Sequence, residues 1–184
     1  TGHVREFMYS DQHGETLFEV VLSLLQKRNK KLAVAESCTG GYLSNVFTDI
    51  PGSSATFLGS FIAYDNAFKS DVLKVDEENI EGHGAVSARI ALDMAANAGM
   101  KTGADYALST TGIAGPSGGT EEKPVGTVWI GLWSRDGAHM ACRFQLTTER
   151  LVNKERSAFI AADMLRRVLL GLPAAPLRAE IVNT

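Results

Sequence analysis

Leu32-Ala33-Val34-Ala35-Glu36-Ser37-Cys38-Thr39-Gly40-Gly41 runs from an apolar stretch into a polar, glycine-ended turn, and Tyr42-Leu43-Ser44-Asn45-Val46-Phe47 follows. The apolar stretch reads as a short buried strand near Leu32–Glu36, and the segment after the glycines continues as a helix. Two hydroxyls, a thiol and a carboxylate therefore crowd one strand-to-helix turn. Free backbone N–H groups at a helix start favour anionic ligands or developing oxyanions. A helix cap with glycines for tight packing would use the same residue types. A second glycine-rich segment, Thr111-Gly112-Ile113-Ala114-Gly115-Pro116-Ser117-Gly118-Gly119, also follows a predicted strand. Two such loops in one small chain point to a site.

Outward from that turn, strands and helices alternate. Leu17, Val20, Val21 and Leu24 fall at i, i+3, i+4 and i+7 and predict an amphipathic helix over about Glu15–Arg28. The helix after Gly40 ends around Pro51-Gly52. Ala55 to Tyr64 is rich in β-formers and reads as a second strand. Asn66 to Val75 reads as a short helix carrying Lys69. Ser87 caps a helix reaching about Met100, with Ile90, Met94 and Ala98 on one face. Asp105 to Thr110 is a third strand. Thr127–Trp133 and His139–Leu146 flank Ser134-Arg135-Asp136-Gly137, a hairpin whose Asp-Gly pair suits the turn. A last helix over about Glu149–Leu170 places Ala158, Ala162, Leu165 and Leu169 together. The expected fold is one α/β domain over 1–184, with a core of about 15–170. It is a three-layer α/β/α sandwich whose hairpin makes the sheet mixed, of about five strands.

Composition narrows the function. The 184 residues are 45% hydrophobic and 21% charged, ordinary for a globular domain. A net charge of −3 without a basic run argues against a nucleic-acid groove. No apolar stretch approaches the roughly 20 residues that span a bilayer. Thr1 to His13 reads as a polar lead-in and not a signal peptide. Cys38 and Cys142 are too few for a disulfide framework, so a reducing cytoplasm is expected. Four scattered histidines lack metal-ligand spacing, and no metal or organic cofactor is expected.

The nucleophiles and bases are few. A serine attacks only when a base takes its proton. No histidine lies in either loop, so Ser–His–Asp chemistry is weakly supported. Lysine can act if burial or neighbouring positive charge makes it neutral, against a usual pKa of about 10.4. Lys69 and Tyr64 follow the second strand and can converge with Ser37 if adjacent strands end on one sheet edge. On its own, Lys69 reads as a solvated helix lysine and Tyr64 as a strand-end core residue, and spacing alone does not overturn those readings. Cys38 rivals Ser37, because a helix start favours the thiolate. The second loop has neither the Gly-Lys-Ser/Thr of a P-loop nor the context of a dinucleotide fingerprint. Its glycines could still admit a ligand close to the backbone.

Several segments together resemble one family. They are Glu36-Ser37-Cys38-Thr39-Gly40-Gly41, Tyr64-Asp65-Asn66-Ala67-Phe68-Lys69, Gly84-Ala85-Val86-Ser87, Gly112-Ile113-Ala114-Gly115-Pro116 and Glu121-Glu122-Lys123-Pro124-Val125-Gly126-Thr127-Val128. In this order they resemble the CinA C-terminal domain, a family that includes stand-alone nicotinamide-nucleotide amidases. The resemblance implies a three-layer fold with a mixed five-stranded sheet. It implies hydrolysis of the carboxamide of nicotinamide mononucleotide to nicotinate mononucleotide and ammonia, in bacterial pyridine-nucleotide recycling. The family's serine falls on Ser37, its lysine on Lys69 and its tyrosine on Tyr64. Its usual Ser after the tyrosine is Asp65 here, and its Gly-Asp-Arg before the last helix is Thr148-Glu149-Arg150.

On that basis Lys69, or Tyr64 relaying to it, takes the Ser37 proton, and N–H groups at Cys38–Thr39 or the Gly112 loop hold the oxyanion. Glu36 orients the turn or faces the pyridinium ring. Cys38, Thr39, Gly40, Gly41, Thr111, Gly112 and Gly115 line the substrate, and Arg150 at the start of the last helix grips its phosphate. Thr111 is expected with its side chain at the loop mouth. The resemblance further implies a homodimer. Two rival functions are an amidase for another nucleotide-like substrate and a binding protein linked to competence or DNA damage.

Overall fold

A computed structural model describes residues 14–175 and 180–183; the expected lead-in, Thr1 to His13, lies outside the described residues. The chain order is α1 (Leu17–Lys27), β1 (Leu32–Glu36), α2 (Tyr42–Thr48), β2 (Phe57–Ile62), α3 (Asn66–Asp71), α4 (Glu77–His83), α5 (Ala88–Thr102), β3 (Tyr106–Gly112), β4 (Thr127–Ser134), β5 (His139–Gln145), α6 (Arg150–Leu169) and β6 (Glu180–Asn183). The strands form one mixed sheet in the order β2-β1-β3-β4-β5-β6. β2, β1 and β3 are parallel, and the rest add antiparallel. This is the expected mixed α/β sandwich, with β6 as one strand beyond the five. Three details differ from the sequence reading. The second strand starts at Phe57, after a 3-10 turn at Ser53–Ala55, the helix carrying Lys69 stops at Asp71, and α4 lies in a stretch that had no assigned element.

Helices cover both faces. Leu32, Val34, Leu108, Ile130 and Phe144 point from the sheet into a core closed by α1, α2 and α6. Ala35, Ala107 and Trp133 face Leu73 and Val75, together with Ile80 of α4 and Ile90, Met94 and Ala98 of α5. Such burial contributes about 1.5–3 kcal/mol per large side chain, so the two cores fix the layers. α1 begins at a capping box in which Thr16 accepts from the Glu19 N–H and the Glu19 carboxylate accepts from the Thr16 N–H. Ser87 caps α5 by accepting from the Ile90 N–H at 3.3 Å.

The topology places the site. β1 lies between β2 and β3, and Glu36 pairs with Ile62 on one side and Thr110 on the other, so β1 and β2 end level while β3 runs on to Gly112. The β1–β2 connection runs through α2 on one face, and the β2–β3 connection through α3, α4 and α5 on the other. The chain therefore diverges at the carboxyl end of β1, which is where open α/β sheets hold their ligands.

Candidate active site

The turn after β1 is held from inside. Glu36 is fully buried, and its carboxylate accepts from the N–H groups of Gly41 (3.0 Å), Leu43 (3.1 Å) and Ser44 (2.8 Å). It also accepts from the Ser44 hydroxyl. Glu36 thus does the work of a helix cap for α2 and orients the turn; its charge is spent on the protein. The N–H groups at the start of α2, expected to meet an anion, are largely occupied by it. Gly41, with φ of 95°, supplies the left-handed step that lets the chain enter α2.

One step earlier the backbone is less fully engaged. The Ser37 N–H donates to the Thr110 carbonyl at 2.9 Å, and the Gly40 N–H donates to the Ser37 carbonyl. The N–H groups of Cys38 and Thr39 have no oxygen partner among the described residues and lie against the Cys38 sulfur. Thr39 is pinned through its hydroxyl to that of Thr110, 2.6 Å away. Ser37 is 8% exposed and its hydroxyl bonds to no described group. Every fully buried polar side-chain atom has a partner among the described residues, so the Ser37 oxygen keeps some exposure to solvent. Cys38 is enclosed instead. Burial pushes its thiol up to about 12, and the Glu36 charge acts in the same direction. A thiol so disfavoured as thiolate is a poor nucleophile.

Lys69 is only 1% exposed. Its amine donates to the Tyr64 carbonyl at 3.4 Å and to Asn66 Oδ1 at 3.2 Å. Burial pulls its pKa below the ordinary lysine value, against the opposing pull of Asp65 and Cys38. An ammonium has three donors, so these two acceptors leave a third direction for a further partner. The Ala63 N–H donates to the Glu36 carbonyl, which ties the start of the Lys69 segment to the Ser37 turn. Asp65, where the family has serine, caps α3 by accepting from the Ala67 N–H at 2.8 Å, as a serine would. Asn66, quoted in the sequence motif without a role, is the side-chain acceptor that orients Lys69.

Several expected roles are corrected. The Tyr64 phenol is exposed and accepts from Arg150 Nη2 at 2.6 Å; its carbonyl, and not its hydroxyl, meets Lys69. Tyr64 is therefore joined to the Arg150 end of the site and is no proton relay in this arrangement. Thr111 is 1% exposed, and its hydroxyl donates to the Ala85 carbonyl at 2.7 Å. Strand alternation turns it away from the loop mouth. A Cβ on Gly112 would meet the Thr127 carbonyl at 2.7 Å, and one on Gly115 would meet Val125 at 2.5 Å and the Thr148 carbonyl at 2.9 Å. These glycines let protein pack against protein. The Ile113 N–H is also taken, by the Thr127 carbonyl at 2.8 Å.

Beyond Tyr64 lies the start of α6. Arg150 Nη1 donates to the Gly115 carbonyl at 3.2 Å, and α6 has no side-chain cap at Glu149. Asn153 is 1% exposed and binds Thr147 and the Ala114 carbonyl, which fastens the second loop to α6. The Lys154 amine would be 3.6 Å from a Cβ on Gly40, so a second cation overlooks the first loop. The sequence reading missed Lys154, although its i+4 spacing from Arg150 puts both on one helical face. Among the described residues, no helix is long and apolar enough to cross a membrane, and no group of three or more His, Cys, Asp or Glu side chains is placed to hold a metal ion.

Known proteins share this architecture. The chain is 46% identical over 157 residues to the CinA-like protein of Thermotoga maritima and 52% identical over 161 residues to that of Chlorobaculum tepidum. Each match covers 85% of this chain but only 38% and 37% of the respective relative. The chain thus spans well under half the length of these curated relatives. Among solved structures it resembles the competence/damage inducible protein CihA from Agrobacterium tumefaciens, with a TM-score of 0.81, 35% identity, and coverage of 84% and 93% of the two chains. It also resembles the CinA superfamily protein KP700603 from Klebsiella pneumoniae 700603, with a TM-score of 0.80, 29% identity, and coverage of 85% and 99%. The family model described as the CinA C-terminal domain matches residues 14–169, and the chain belongs to that family.

Proposed function

We propose that this chain is a hydrolase that converts the carboxamide of nicotinamide mononucleotide to nicotinate mononucleotide and ammonia through a Ser37 acyl-enzyme. The observations that support the reading are a serine hydroxyl with no described partner, just after β1, and a buried lysine of lowered pKa, in the segment just after β2, with the two strands ending level. Lys69, in its neutral form, takes the Ser37 proton as Oγ attacks the carboxamide carbon. The carbonyl oxygen gains the displaced electron pair, and the Cys38 and Thr39 N–H groups would turn from the Cys38 sulfur to meet it. The C–N bond then breaks, with the Lys69 proton passing to the leaving ammonia. Water, deprotonated by the same amine, attacks the Ser37 ester, and the amine returns that proton to Ser37 Oγ as the C–O bond breaks and the carboxylate leaves. Arg150, Lys154 and the uncapped start of α6 would hold the phosphate at the far end, with the Tyr64 ring between. The two free cysteines support placing this reaction in the reducing cytoplasm.

Ammonia release from nicotinamide mononucleotide by the purified protein, with chelator present, tests the proposal. Steady turnover to nicotinate mononucleotide is expected. Ammonia from a different amide, with none from this nucleotide, would favour another amidase. The absence of amide hydrolysis altogether would favour a binding protein.

A further inference from the structure

A cavity of about 490 Å³ opens on the α5 face of the sheet, and no residue of the Ser37 turn lines it. Small-ligand sites run from about 300 to 1,000 Å³. Its floor is apolar: Trp129 of β4, Leu92 of α5, and Val86 and Ala88 beside them. Trp129 packs on the small cluster of Ala91, Leu92 and Ala141, which leaves the indole half-buried and rigidly backed.

The rim carries the opposite chemistry. Arg89, Lys123 and Arg143 line it beside Glu122, and Arg143 is already engaged, its Nη2 donating to the Glu122 carbonyl at 3.1 Å. The Arg89 charge is matched by Asp93 at 2.9 Å. Lys123 donates to the His83 carbonyl at 3.1 Å and meets no carboxylate within ion-pair distance among the described residues. α5 also begins at this rim. Ser87 serves the Ile90 and Ala91 N–H groups, which leaves those of Ala88 and Arg89 at the cavity without a described partner. Positive potential thus gathers at the mouth of an apolar hole.

We propose that this cavity is a second ligand site, taking a small aromatic carboxylate with its ring on Trp129 and Leu92 and its carboxylate at Lys123 and the start of α5. A neutral aromatic would leave the rim charge unanswered, and a nucleotide would put a polar ribose against the apolar floor. The site is separated from Ser37 by β3 and by the connector Gly84–Ser87, whose Ala85 carbonyl is held by Thr111. It does not depend on the amidase reading.

Calorimetric titration of the full chain with 2-naphthoate, and with the neutral 2-naphthalenemethanol, tests the site. One equivalent of 2-naphthoate should bind, with the alcohol weaker by roughly tenfold or more, the scale of one charge-assisted hydrogen bond. Lys123→Gln, which keeps a donor for the His83 carbonyl, should cost a similar factor. Val86→Trp should fill the cavity and abolish binding, whereas Ser37→Ala and Arg150→Ala should leave it unchanged. No heat at millimolar 2-naphthoate, equal affinity for the alcohol, or insensitivity to both cavity variants would overturn the proposal. Loss of binding in Arg150→Ala would also overturn it, by placing the carboxylate at the start of α6.

Discussion

Replacing Lys69 with methionine separates a stored base from a structural lysine. The amine is 1% exposed, bonded to two neutral acceptors at 3.2 and 3.4 Å, and shifted below its ordinary pKa chiefly by burial. Methionine keeps most of the stem's volume and removes only the titrating end. Loss of a general base should cost roughly 10²–10⁴ in kcat, about 2.7–5.5 kcal/mol of transition-state stabilisation. Stability should move the other way. Because burial lowers the native pKa, the native state binds fewer protons than the unfolded chain between that lowered value and the ordinary one. Stability therefore rises with pH across that window, and the penalty of a buried charge is fully present below it. Lys69→Met should be as stable as wild type or more so at neutral pH, with the difference shrinking toward alkaline pH. The wild-type kcat should also rise with pH through the lowered pKa, a limb that the variant lacks. Ammonia release from nicotinamide mononucleotide across pH, alongside urea denaturation, reads both quantities. Near-normal turnover in Lys69→Met would refute the reasoning, as would activity lost only in proportion to lost folded protein.

Arg150→Ala should weaken kcat/KM for nicotinamide mononucleotide by about 1.5–3 kcal/mol while sparing the riboside, which has no phosphate to hold. Equal losses on both substrates would make Arg150 a structural link between Tyr64 and Gly115. Lys154→Ala should show the same selectivity for the nucleotide at a smaller magnitude, measured by the same pair of substrates. Glu36→Ala strips the partner from three N–H groups and the Ser44 hydroxyl. Urea denaturation should show a loss of about 3–5 kcal/mol, and a loss below about 1 kcal/mol would contradict the capping role.

The layers were legible because local signals agreed. Ser87 announced α5, Ile90, Met94 and Ala98 are all fully buried, and the Asp136-Gly137 turn sits between β4 and β5 as read. α1 was found, but its buried stripe is Leu17, Phe18, Val21, Leu22 and Leu25, rotated slightly from the predicted one. α4 escaped because Ile80 is its single buried residue among acidic neighbours. β6 is four residues long and exists through its pairing with β5, a tertiary fact. In the site, the strand-to-helix turn marked Ser37, yet nothing local shows that Glu36 would use up the helix start. The faces of Thr111 and Tyr64 depend on Ala85 and Arg150, distant in sequence, so spacing alone could not orient them.

The central claim is that Ser37, and not its neighbour Cys38, attacks the carboxamide. Initial rates of ammonia release from nicotinamide mononucleotide by Ser37→Ala and Cys38→Ala, each checked for native folding, test it most directly. The unpartnered, partly accessible hydroxyl of Ser37 and the Cys38 thiol, pushed up to about 12 by burial, predict a dead serine variant and a cysteine variant that keeps most of its activity. A dead Cys38→Ala beside an active Ser37→Ala would contradict the account.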